Sequence, residues 1–404
     1  MKKGWQTKTL GNVCSFLNRG VSPKYVEKGG IVVLNQRCVR DHRVNLELGR
    51  RHDVIAKNVS NERLLQAGDV LVNSTGTGTL GRVAQLQENP PEPSTVDSHV
   101  TIVRPSPGYF FQEFFGYMLR DIEPKLKESG EGCGGQTELN RSLLAEKFVV
   151  RFPESLPEQR RIVGILDEAF EGLATAKANA EKNLKNARAL FENHLQSLFT
   201  QRGPGWVEKR LADVADFKNG LNFTRQSNGQ TLRMVGVGDF QDHSIVPVDT
   251  LQSVTIDGKL SDDYLIRRDD ILTVRSNGSK DLVGRCMLVP DVDGMTSFSG
   301  FIIRIRFDTR VLNPRFLLLF MKSSATRDRL TRDGGGANIS NINQAKLSEL
   351  PVSLPSFKQQ GEIANRLDDL HEETQRLARL YERKLAALEA LKKSLLHQAF
   401  TGEL

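Results

Sequence analysis

The nine residues QRRIVGILD at 159–167 decide the fold of this chain, because they return at 360–368 as QGEIANRLD. The two copies lie 201 residues apart and share Gln, Ile, Leu and Asp at matching places. Other residues repeat at nearly the same separation, so the duplication covers almost the whole chain. The repeated pairs include Trp5 and Trp206, Leu10 and Leu211, Val13 and Val214, Gly20 and Gly220, Asp69 and Asp270, Phe115 and Phe316, and Phe199-Thr200 and Phe400-Thr401.

The duplication has a consequence for function. A chain made of two related halves presents two related surfaces about a pseudo-twofold axis, and we therefore expect its target to have two halves as well. At 404 residues, the chain is long enough for two domains of ordinary size, each with its own core.

Composition and charge narrow the class of protein. Hydrophobic residues make up 38% and charged residues 26% of the chain, which is typical of a soluble globular protein. No run approaches the roughly 20 apolar residues of a membrane span, and no apolar signal region opens the chain. The net charge of +7 favours a polyanionic partner, although charge alone is a weak signal.

Cysteine usage predicts a cytoplasmic protein with reduced thiols. The four cysteines are Cys14, Cys38, Cys133 and Cys286, and none of them forms a CxxC pair. Neither a disulfide framework nor a zinc site is expected from this spacing.

Each half opens with about 155 residues in which short apolar runs alternate with Gly, Asp and Asn. These runs predict strands, with one helix at about 112–127 and its counterpart at 316–330, after the cap Asn313-Pro314. Many strands with few helices between them favour an α+β domain over a doubly wound sheet. The predicted strands cover 31–34, 69–72, 99–103, 234–237, 271–274 and 301–305.

Each half ends in a long helix, expected at 156–200 and 357–404. Apolar or small residues recur there at three-four spacing over some 40 residues, which keeps one stripe facing a partner. Two matching stripes in one chain most simply pair with each other as an antiparallel intramolecular coiled coil. The alternative is a coiled coil with another molecule. The globular domains are then 1–155 and 201–356.

Two motifs suggest a methyltransferase, and neither fits. The sequence GTGTLG at 76–81 matches the GxGxxG pattern of dinucleotide sites, but a strand at 82–86 leaves no room for the phosphate-binding helix. The second copy, SNGSK at 276–280, lacks the glycine spacing. The sequence NPPE at 89–92 resembles the Asn-Pro-Pro-aromatic motif of adenine-N6 DNA methyltransferases, but Glu92 cannot stack on a flipped base.

Other catalytic patterns are missing from the sequence. There is no P-loop, no nucleophile elbow and no His pair at metal-ligand spacing. Asp97-Ser98-His99 has the residue types of a hydrolase, but neighbours on a strand point to opposite faces. We therefore predict no catalytic residue, no cofactor site and no metal site in this chain.

Polar loops are the best candidates for DNA contact. Loops at 73–77 and 275–280 follow equivalent strands and offer groups suited to phosphates and base edges. Glycine loops at 134–140 and 334–343 permit close approach to a ligand, and a basic run follows residue 34. The alternatives are an ordinary polar hairpin for each polar loop, a flexible linker for each glycine loop and a solvated charged face for the basic run. The predicted DNA-binding residues are Asn35, Gln36, Arg37, Arg40, Asn73, Ser74, Thr75, Thr77, Gln136, Thr137, Asn140, Arg275, Ser276, Asn277, Ser279, Lys280, Asn338 and Asn341.

Together these features resemble the specificity subunit of type I restriction-modification enzymes, and the resemblance covers the whole chain. It is carried by the repeated domain-plus-helix unit, by PEQR at 157–160, by the stretch 334–370 and by LLHQAFTGEL at 395–404. The first copy departs slightly, with QTELN at 136–140 where the second has ANISN at 337–341. The resemblance implies two target-recognition domains, each reading half of a bipartite, asymmetric double-stranded DNA site, with the paired helices setting the spacer.

The resemblance also implies partners. Two methyltransferase subunits that bind S-adenosylmethionine would dock on the helix pair, and restriction subunits that use ATP and Mg would join them. This chain would then carry no chemistry itself. The rival hypotheses are an adenine-specific DNA methyltransferase and a coiled-coil adaptor for protein assembly.

Overall fold

The computed structural model describes residues 4–130, 138–201, 203–222, 227–241, 243–331 and 341–404. The chain divides into two compact units. Unit 1 comprises Met1–Ala180 together with Lys384–Leu404, and unit 2 comprises Glu181–Arg383. Unit 1 is therefore discontinuous in sequence, whereas unit 2 is continuous.

The strands of unit 1 are β1 (Trp5–Thr9), β2 (Cys14–Arg19), β3 (Tyr25–Val26), β4 (Ile31–Leu34), β5 (Val39–Arg40), β6 (Arg43–Val44), β7 (Arg50–His52), β8 (Val70–Asn73), β9 (Val83–Gln85), β10 (Ser94–Val96), β11 (Val100–Pro105) and β12 (Val149–Pro153). An antiparallel sheet has the order β2-β11-β8-β9, and a mixed sheet has the order β10-β4-β7-β3 with β10 parallel to β4. Two smaller sheets pair β1 with β12 and β5 with β6. The α-helix α1 (Gln112–Glu128) and a π-helical turn at Leu143–Lys147 precede the long helix α2 (Leu156–Thr200), which continues into unit 2 after Ala180.

The strands of unit 2 are β13 (Val207–Arg210), β14 (Ala215–Asn219), β15 (Thr231–Val235), β16 (Gln252–Thr255), β17 (Ile271–Val274), β18 (Cys286–Leu288), β19 (Thr296–Phe298), β20 (Ile302–Phe307) and β21 (Pro351–Leu354). Its antiparallel sheet β14-β20-β17-β18 repeats the order found in unit 1, and a mixed sheet follows the order β16-β15-β19. The helices are α3 (Pro314–Lys322), α4 (Ser324–Thr331), α5 (Gln344–Ser348) and the long α6 (Phe357–Thr401), whose residues from Lys384 onward belong to unit 1. The expected class, two similar α+β domains with long helices, is confirmed.

One predicted helix is wrong in its extent. The helix expected at 316–330 is interrupted at Ser323, whose backbone is extended between α3 and α4. The Ser323 hydroxyl donates to the carbonyl of Phe320 at 2.8 Å, a local bond that competes with the helical pattern. The predicted cap is confirmed, because the side chain of Asn313 accepts from the backbone N–H groups of Arg315 and Phe316.

Aromatic side chains from the long helices complete the core of each unit. In unit 1 the ring of Phe400 lies 5.2 Å from that of Phe114, between centroids. In unit 2 the ring of Phe199 lies 5.4 Å from that of Phe316. Burying a side chain of this size contributes roughly 1.5–3 kcal/mol. The phenylalanine of the repeated Phe-Thr pair at the end of each long helix thus anchors that helix in a core.

Within each unit, α2 and α6 run antiparallel. In unit 1, Lys177 pairs with Glu389 at 3.9 Å, and the Lys392 ammonium lies 5.3 Å from the ring centroid of Phe170. In unit 2, Arg188 pairs with Glu382 at 2.7 Å. The predicted antiparallel, intramolecular pairing is confirmed.

No helix in the described part of the chain is long and apolar enough to cross a membrane.

A buried glutamine fastens the start of each long helix to the globular part of its own unit. Gln159 accepts from the N–H of Phe111 at 2.8 Å and donates to the carbonyls of Tyr109 at 3.0 Å and Pro153 at 2.9 Å. In unit 2, Gln360 makes the matching three bonds, accepting from the Asn313 N–H at 2.8 Å and donating to two carbonyls. The Gln that begins each of the repeated stretches 159–167 and 360–368 therefore has a structural role.

Candidate nucleic-acid interface

The loop after β8 in unit 1 is held between two other segments. Ser74 donates its N–H to the carbonyl of His99 at 2.8 Å, at the start of β11. The Ser74 carbonyl accepts from the N–H of Leu139 at 2.8 Å, and Thr75 forms a β-bridge with Glu138. The polar loop and the chain that follows the glycine loop therefore lie side by side.

Unit 2 repeats this backbone arrangement bond for bond. Arg275 donates its N–H to the carbonyl of Phe301 at 2.9 Å, and its own carbonyl accepts from Ile342 at 2.8 Å. Ser276 forms a β-bridge with Asn341. The equivalence of the two loops, which the sequence predicted from their places after equivalent strands, extends to their hydrogen bonds.

A third segment completes the frame at the repeated glycines. A Cβ atom on Gly20 would lie 1.8 Å, and one on Gly220 2.2 Å, from a backbone carbonyl oxygen, so only glycine allows the chain to approach so closely. Arg19 and Asn219, which precede these glycines, consequently occupy equivalent places.

We call the polar loop and the three segments that hold it the reading frame of each unit: residues 19–20, 74–76, 99 and 138 in unit 1, and residues 219–220, 275–277, 301 and 341 in unit 2. The glycines at 20 and 220 are shared, whereas six other pairs of equivalent positions carry different residues. The pairs, unit 1 first, are Arg19 and Asn219, Ser74 and Arg275, Thr75 and Ser276, Gly76 and Asn277, His99 and Phe301, and Glu138 and Asn341.

In unit 1 the reading frame lines an open cavity of about 390 Å³. Gln36 donates to both the carbonyl (2.8 Å) and the hydroxyl (2.6 Å) of Thr75. The Thr75 hydroxyl lies 2.8 Å from Nδ1 of His99. Because that hydroxyl accepts from Gln36, it can donate to Nδ1, which leaves the Nε2–H of a neutral His99 as a donor to a ligand. The lining residues are Arg19, Gln36, Thr75, Gly76, Thr77, Ser98, His99 and Glu138.

An ion pair lies at one side of this cavity. Arg19 contacts the Glu138 carboxylate at 2.6 Å and donates to the Leu139 carbonyl at 2.9 Å. Both side chains are partly exposed, so the pair contributes little to stability. It does hold the planar guanidinium in place at the cavity, where a base edge or a phosphate could replace the carboxylate.

A buried carboxylate, that of Asp97, is hydrogen-bonded to the backbone of His99. Asp97 is 4% exposed and accepts from the N–H of His99 at 2.9 Å. Burial raises the pKa of Asp97, and the hydrogen bond to His99 offsets part of that effect. In unit 2 the same place is taken by the uncharged Ser299, whose hydroxyl lies 3.4 Å from the N–H of Phe301.

The reading frame of unit 2 has unsatisfied polar atoms. The buried Nε of Arg275 and the buried Oδ1 of Asn219 have no hydrogen-bond partner among the described residues. Asn277 accepts from the N–H of Ser279 at 2.7 Å, which fixes the turn, and Lys280 is exposed. Of these groups, the exposed ammonium of Lys280 is free to donate to a ligand.

The structure sorts the predicted DNA-binding residues by place. Within the reading frames or at the unit 1 cavity lie Gln36, Thr75, Thr77, Arg275, Ser276, Asn277 and Asn341, and beside them lie the exposed Ser279 and Lys280. Arg37 and Arg40 are exposed and form no ion pair within the described part of the chain. Gln136, Thr137 and Asn338 lie outside the described residues. DNA contact by any of them stays a prediction.

Four predicted residues form hydrogen bonds within the protein that support the loops, and two of them are buried. Asn73 and Ser74 are fully buried, the first donating to the Gln36 carbonyl at 3.2 Å. Asn35 accepts from the N–H of Arg37, and Asn140 accepts from that of Leu143. Because β8 is buried on both faces, Asn73 at its end is covered as well.

Five residues of the reading frames are not among the predicted DNA-binding residues: Arg19, His99, Glu138, Asn219 and Phe301. The repeated glycines at 20 and 220 could have drawn attention to the residues before them. The sequence pattern marks His99 and Phe301 only as the first residues of strands, and His99 also as a member of the rejected catalytic set at 97–99.

The two methyltransferase-like motifs have structural roles. The turn at 76–81 leads into β9, which confirms the strand predicted there. Glu92 forms a bidentate ion pair with Arg51, at 2.7 and 2.8 Å. The side chain of Asn89 accepts from the N–H of Ala67 at 2.8 Å. Both side chains are therefore engaged in holding a surface turn.

Comparison with known proteins gives a consistent family. The family model described as type I restriction modification DNA specificity domain matches residues 2–185 and again residues 204–383. A type I restriction enzyme StySPI specificity subunit from Salmonella potsdam is 30% identical over 202 residues, which cover 50% of this chain. The match spans only 43% of that relative's length.

Two solved structures have a similar fold over the full chain. One, from work on assembly and conformational transition of the type I R-M system, gives a TM-score of 0.74 at 18% identity, covering 100% of this chain and 99% of that one. The other is the HsdS subunit from Thermoanaerobacter tengcongensis, with a TM-score of 0.68, 19% identity, and coverage of 100% and 98%. At such identities the likeness concerns the fold alone. The two family matches together span most of the residues, and the chain therefore belongs to the family of type I restriction modification DNA specificity domains, of which it carries two.

Proposed function

We propose that this protein is the sequence-specific DNA-binding subunit of a type I restriction-modification complex. Each unit reads one half of a bipartite, asymmetric site in double-stranded DNA through its reading frame, by the major groove. The paired α2 and α6 set the unspecified spacer between the halves.

The observation that carries this proposal is a shared backbone with different side chains. The reading frames of the two units are held by matching backbone hydrogen bonds, yet the residues at all six equivalent pairs differ. At one pair unit 1 has the buried Ser74 where unit 2 has the partly exposed Arg275. A duplicated site that bound the same small ligand twice would keep its chemical groups. Base recognition instead needs a rigid frame and interchangeable hydrogen-bonding groups, because each base pair presents its own pattern in the major groove.

The positive charge supports the same proposal. A net charge of +7 supplies attraction to phosphates that does not depend on sequence. Chemistry on the DNA then belongs to partners: methyltransferase subunits with S-adenosylmethionine, and restriction subunits with ATP and Mg. This chain acts in the cytoplasm as a non-catalytic subunit. Free Cys14, Cys38 and Cys286 fit that reducing compartment.

The test begins with selection of DNA from a random duplex pool by the full chain. The expected product is a motif of two short conserved blocks separated by a spacer of fixed length. Affinity is then measured for the selected duplex and for duplexes with either block scrambled. A variant of unit 1, Gln36→Ala with Thr75→Ala, should lose discrimination at one block and retain it at the other. A variant of unit 2, Ser276→Ala with Asn341→Ala, is the matched control and should show the reverse.

Two outcomes argue against the proposal. One is a pool that yields no motif, and the other is a single uninterrupted motif that both variants weaken equally. A DNA affinity that does not fall with rising salt would also contradict it, because phosphate contacts release counterions.

Docking of two methyltransferase subunits is supported by a repeated apolar position. Leu190 of α2 is 49% exposed and Leu391 of α6 is 48% exposed. They lie 201 residues apart in sequence, the separation of the duplication, so both helices present a leucine at the same place. Two equivalent exposed leucines suit two copies of one partner.

Leu190→Asp and Leu391→Asp test this docking. Each variant is expected to bind one methyltransferase subunit instead of two, measured by native mass spectrometry, and the double variant none. Leu380→Asp is the control. Leu380 is also 48% exposed, but its counterpart 201 residues earlier is the polar Asn179, so this apolar position is not repeated. Unchanged stoichiometry in both single variants would place the docking site elsewhere.

A further inference from the structure

Phe301 is an exposed aromatic residue within the reading frame of unit 2. Its side chain is 59% exposed, although it directly precedes the fully buried Ile302 of β20. A single exposed apolar residue is ordinary on a protein surface. Its place in the frame, beside Arg275, is what gives it significance.

The backbone around Phe301 is fixed on both sides. Its carbonyl accepts from the N–H of Arg275 at 2.9 Å, and its N–H lies 3.4 Å from the Ser299 hydroxyl. The preceding Gly300 donates to the carbonyl of Leu221 at 2.7 Å. The ring is therefore presented from an ordered position, so that little conformational entropy is lost when it contacts a ligand.

The equivalent residue of unit 1 offers a different chemistry. His99 has the same backbone bond, to Ser74, and its ring takes part in hydrogen bonding with Thr75. Phe301 has no polar atom beyond its backbone. If this position meets a base edge in both units, unit 1 recognises a hydrogen-bonding group and unit 2 an apolar one.

Only one base edge in the major groove of unmodified DNA presents an apolar group, the C5-methyl group of thymine. We propose that Phe301 is a specificity-determining residue that contacts the methyl group of one thymine in the half-site read by unit 2. This inference rests on the proposed function. The neighbouring Arg275, Ser276 and Asn341 supply hydrogen bonds to the adjacent groups, and Phe301 adds selection for the methyl group.

The test replaces each thymine of the selected duplex, one at a time, by deoxyuridine, which lacks only the methyl group. The full chain is expected to lose about fourfold in affinity at one position of one half-site, the loss that corresponds to roughly 0.8 kcal/mol for one buried methyl group. Phe301→Ala should bind the thymine and uracil duplexes at that position equally. His99→Ala is the matched control, and it should keep the fourfold preference for thymine.

Because the ring is more than half exposed, Phe301→Ala should fold like the parent chain, and its thermal unfolding midpoint verifies this. Phe301→Leu keeps an apolar group and should retain part of the preference for thymine.

The outcomes separate this inference from the proposed function. If the chain selects a bipartite motif but no uracil substitution lowers affinity, or if Phe301→Ala keeps the preference for thymine, the role of Phe301 is refuted and the proposed function stands. An equal loss for thymine and uracil duplexes in Phe301→Ala also refutes it, because the ring then contacts something other than the methyl group. If the chain selects no motif at all, the proposed function fails and the role of Phe301 fails with it.

Discussion

Replacing Gln159 by leucine should loosen the attachment of α2 to the globular part of unit 1. The side chain of Gln159 is fully buried and makes three hydrogen bonds to backbone groups, at 2.8, 2.9 and 3.0 Å. Leucine is of similar size and leaves no large cavity, but it can neither donate nor accept. The substitution therefore isolates the loss of hydrogen bonding.

The magnitude follows from the groups left behind. The N–H of Phe111 and the carbonyls of Tyr109 and Pro153 all lose this partner, and an unsatisfied buried polar group costs about 1–3 kcal/mol. Carbonyls tolerate the loss better than an N–H group does. We therefore expect a total destabilisation of about 2–4 kcal/mol, expressed as local opening of the segment before α1 and of the first turns of α2.

Amide hydrogen exchange read by mass spectrometry measures this opening. In Gln159→Leu, peptides covering 107–116 and 153–162 should exchange faster, by a factor that corresponds to the lost free energy. Gln360→Leu is the matched control. It should leave those peptides unchanged and affect the segment before α3, with a smaller effect because its two donated bonds are longer, at 3.1 and 3.3 Å. Acceleration below about twofold at 107–116, or an equal effect in both units, would refute the reasoning.

Three further predictions concern the reading frames and the long helices. Asp97→Asn keeps an acceptor for the N–H of His99 and should stabilise unit 1 at neutral pH. Burial raises the pKa of Asp97 in the folded protein, so folding takes up a proton. The free energy of unfolding of the parent chain therefore falls as the pH rises from the unfolded-state pKa of Asp97 to its higher folded-state pKa. Denaturant titrations at acidic and neutral pH check this, and a variant with the parent's pH dependence contradicts it. Arg275→Ala and Lys280→Ala should each weaken DNA binding through one half-site only, by about 1–3 kcal/mol; binding measurements with each block scrambled check this, and equal weakening through both blocks contradicts it. Inserting four residues next to Ala180 should lengthen the spacer of the selected motif without changing its blocks, and an unchanged spacer removes the proposal that the helices set it.

The sequence predicted the elements that depend on local or periodic signals. Three-four spacing of apolar residues defined α2 over 156–200, and a cap followed by proline defined the start of α3 at Asn313-Pro314. These signals act within a few residues of one another, so they can be read without knowing the fold. The break at Ser323 depends on a side-chain bond in a buried place, and the local helix pattern runs through it.

The candidate site was predicted less completely, because it is assembled from distant segments. The loops at 73–77 and 275–280 were found from their composition. Their neighbours His99 and Phe301 became apparent only from the pairing of β8 with β11 and of β17 with β20. The same limit applies to the repeated Asp69 and Asp270, whose partners Arg104 and Arg306 approach to 2.7 Å only in the folded chain.

The discontinuity of unit 1 bears on the order in which the chain folds during synthesis. Unit 2 is continuous from Glu181 to Arg383, so all of its core residues have been made before the segment Lys384–Leu404 is translated. Unit 1 must wait for that segment, because Phe400 packs against Phe114 in its core. Since domains generally fold as units, we expect unit 2 to reach its final packing first although it is encoded second. Until then unit 1 exposes the apolar surface that Phe400 covers, which makes it the part of the nascent chain most open to aggregation and to chaperone binding.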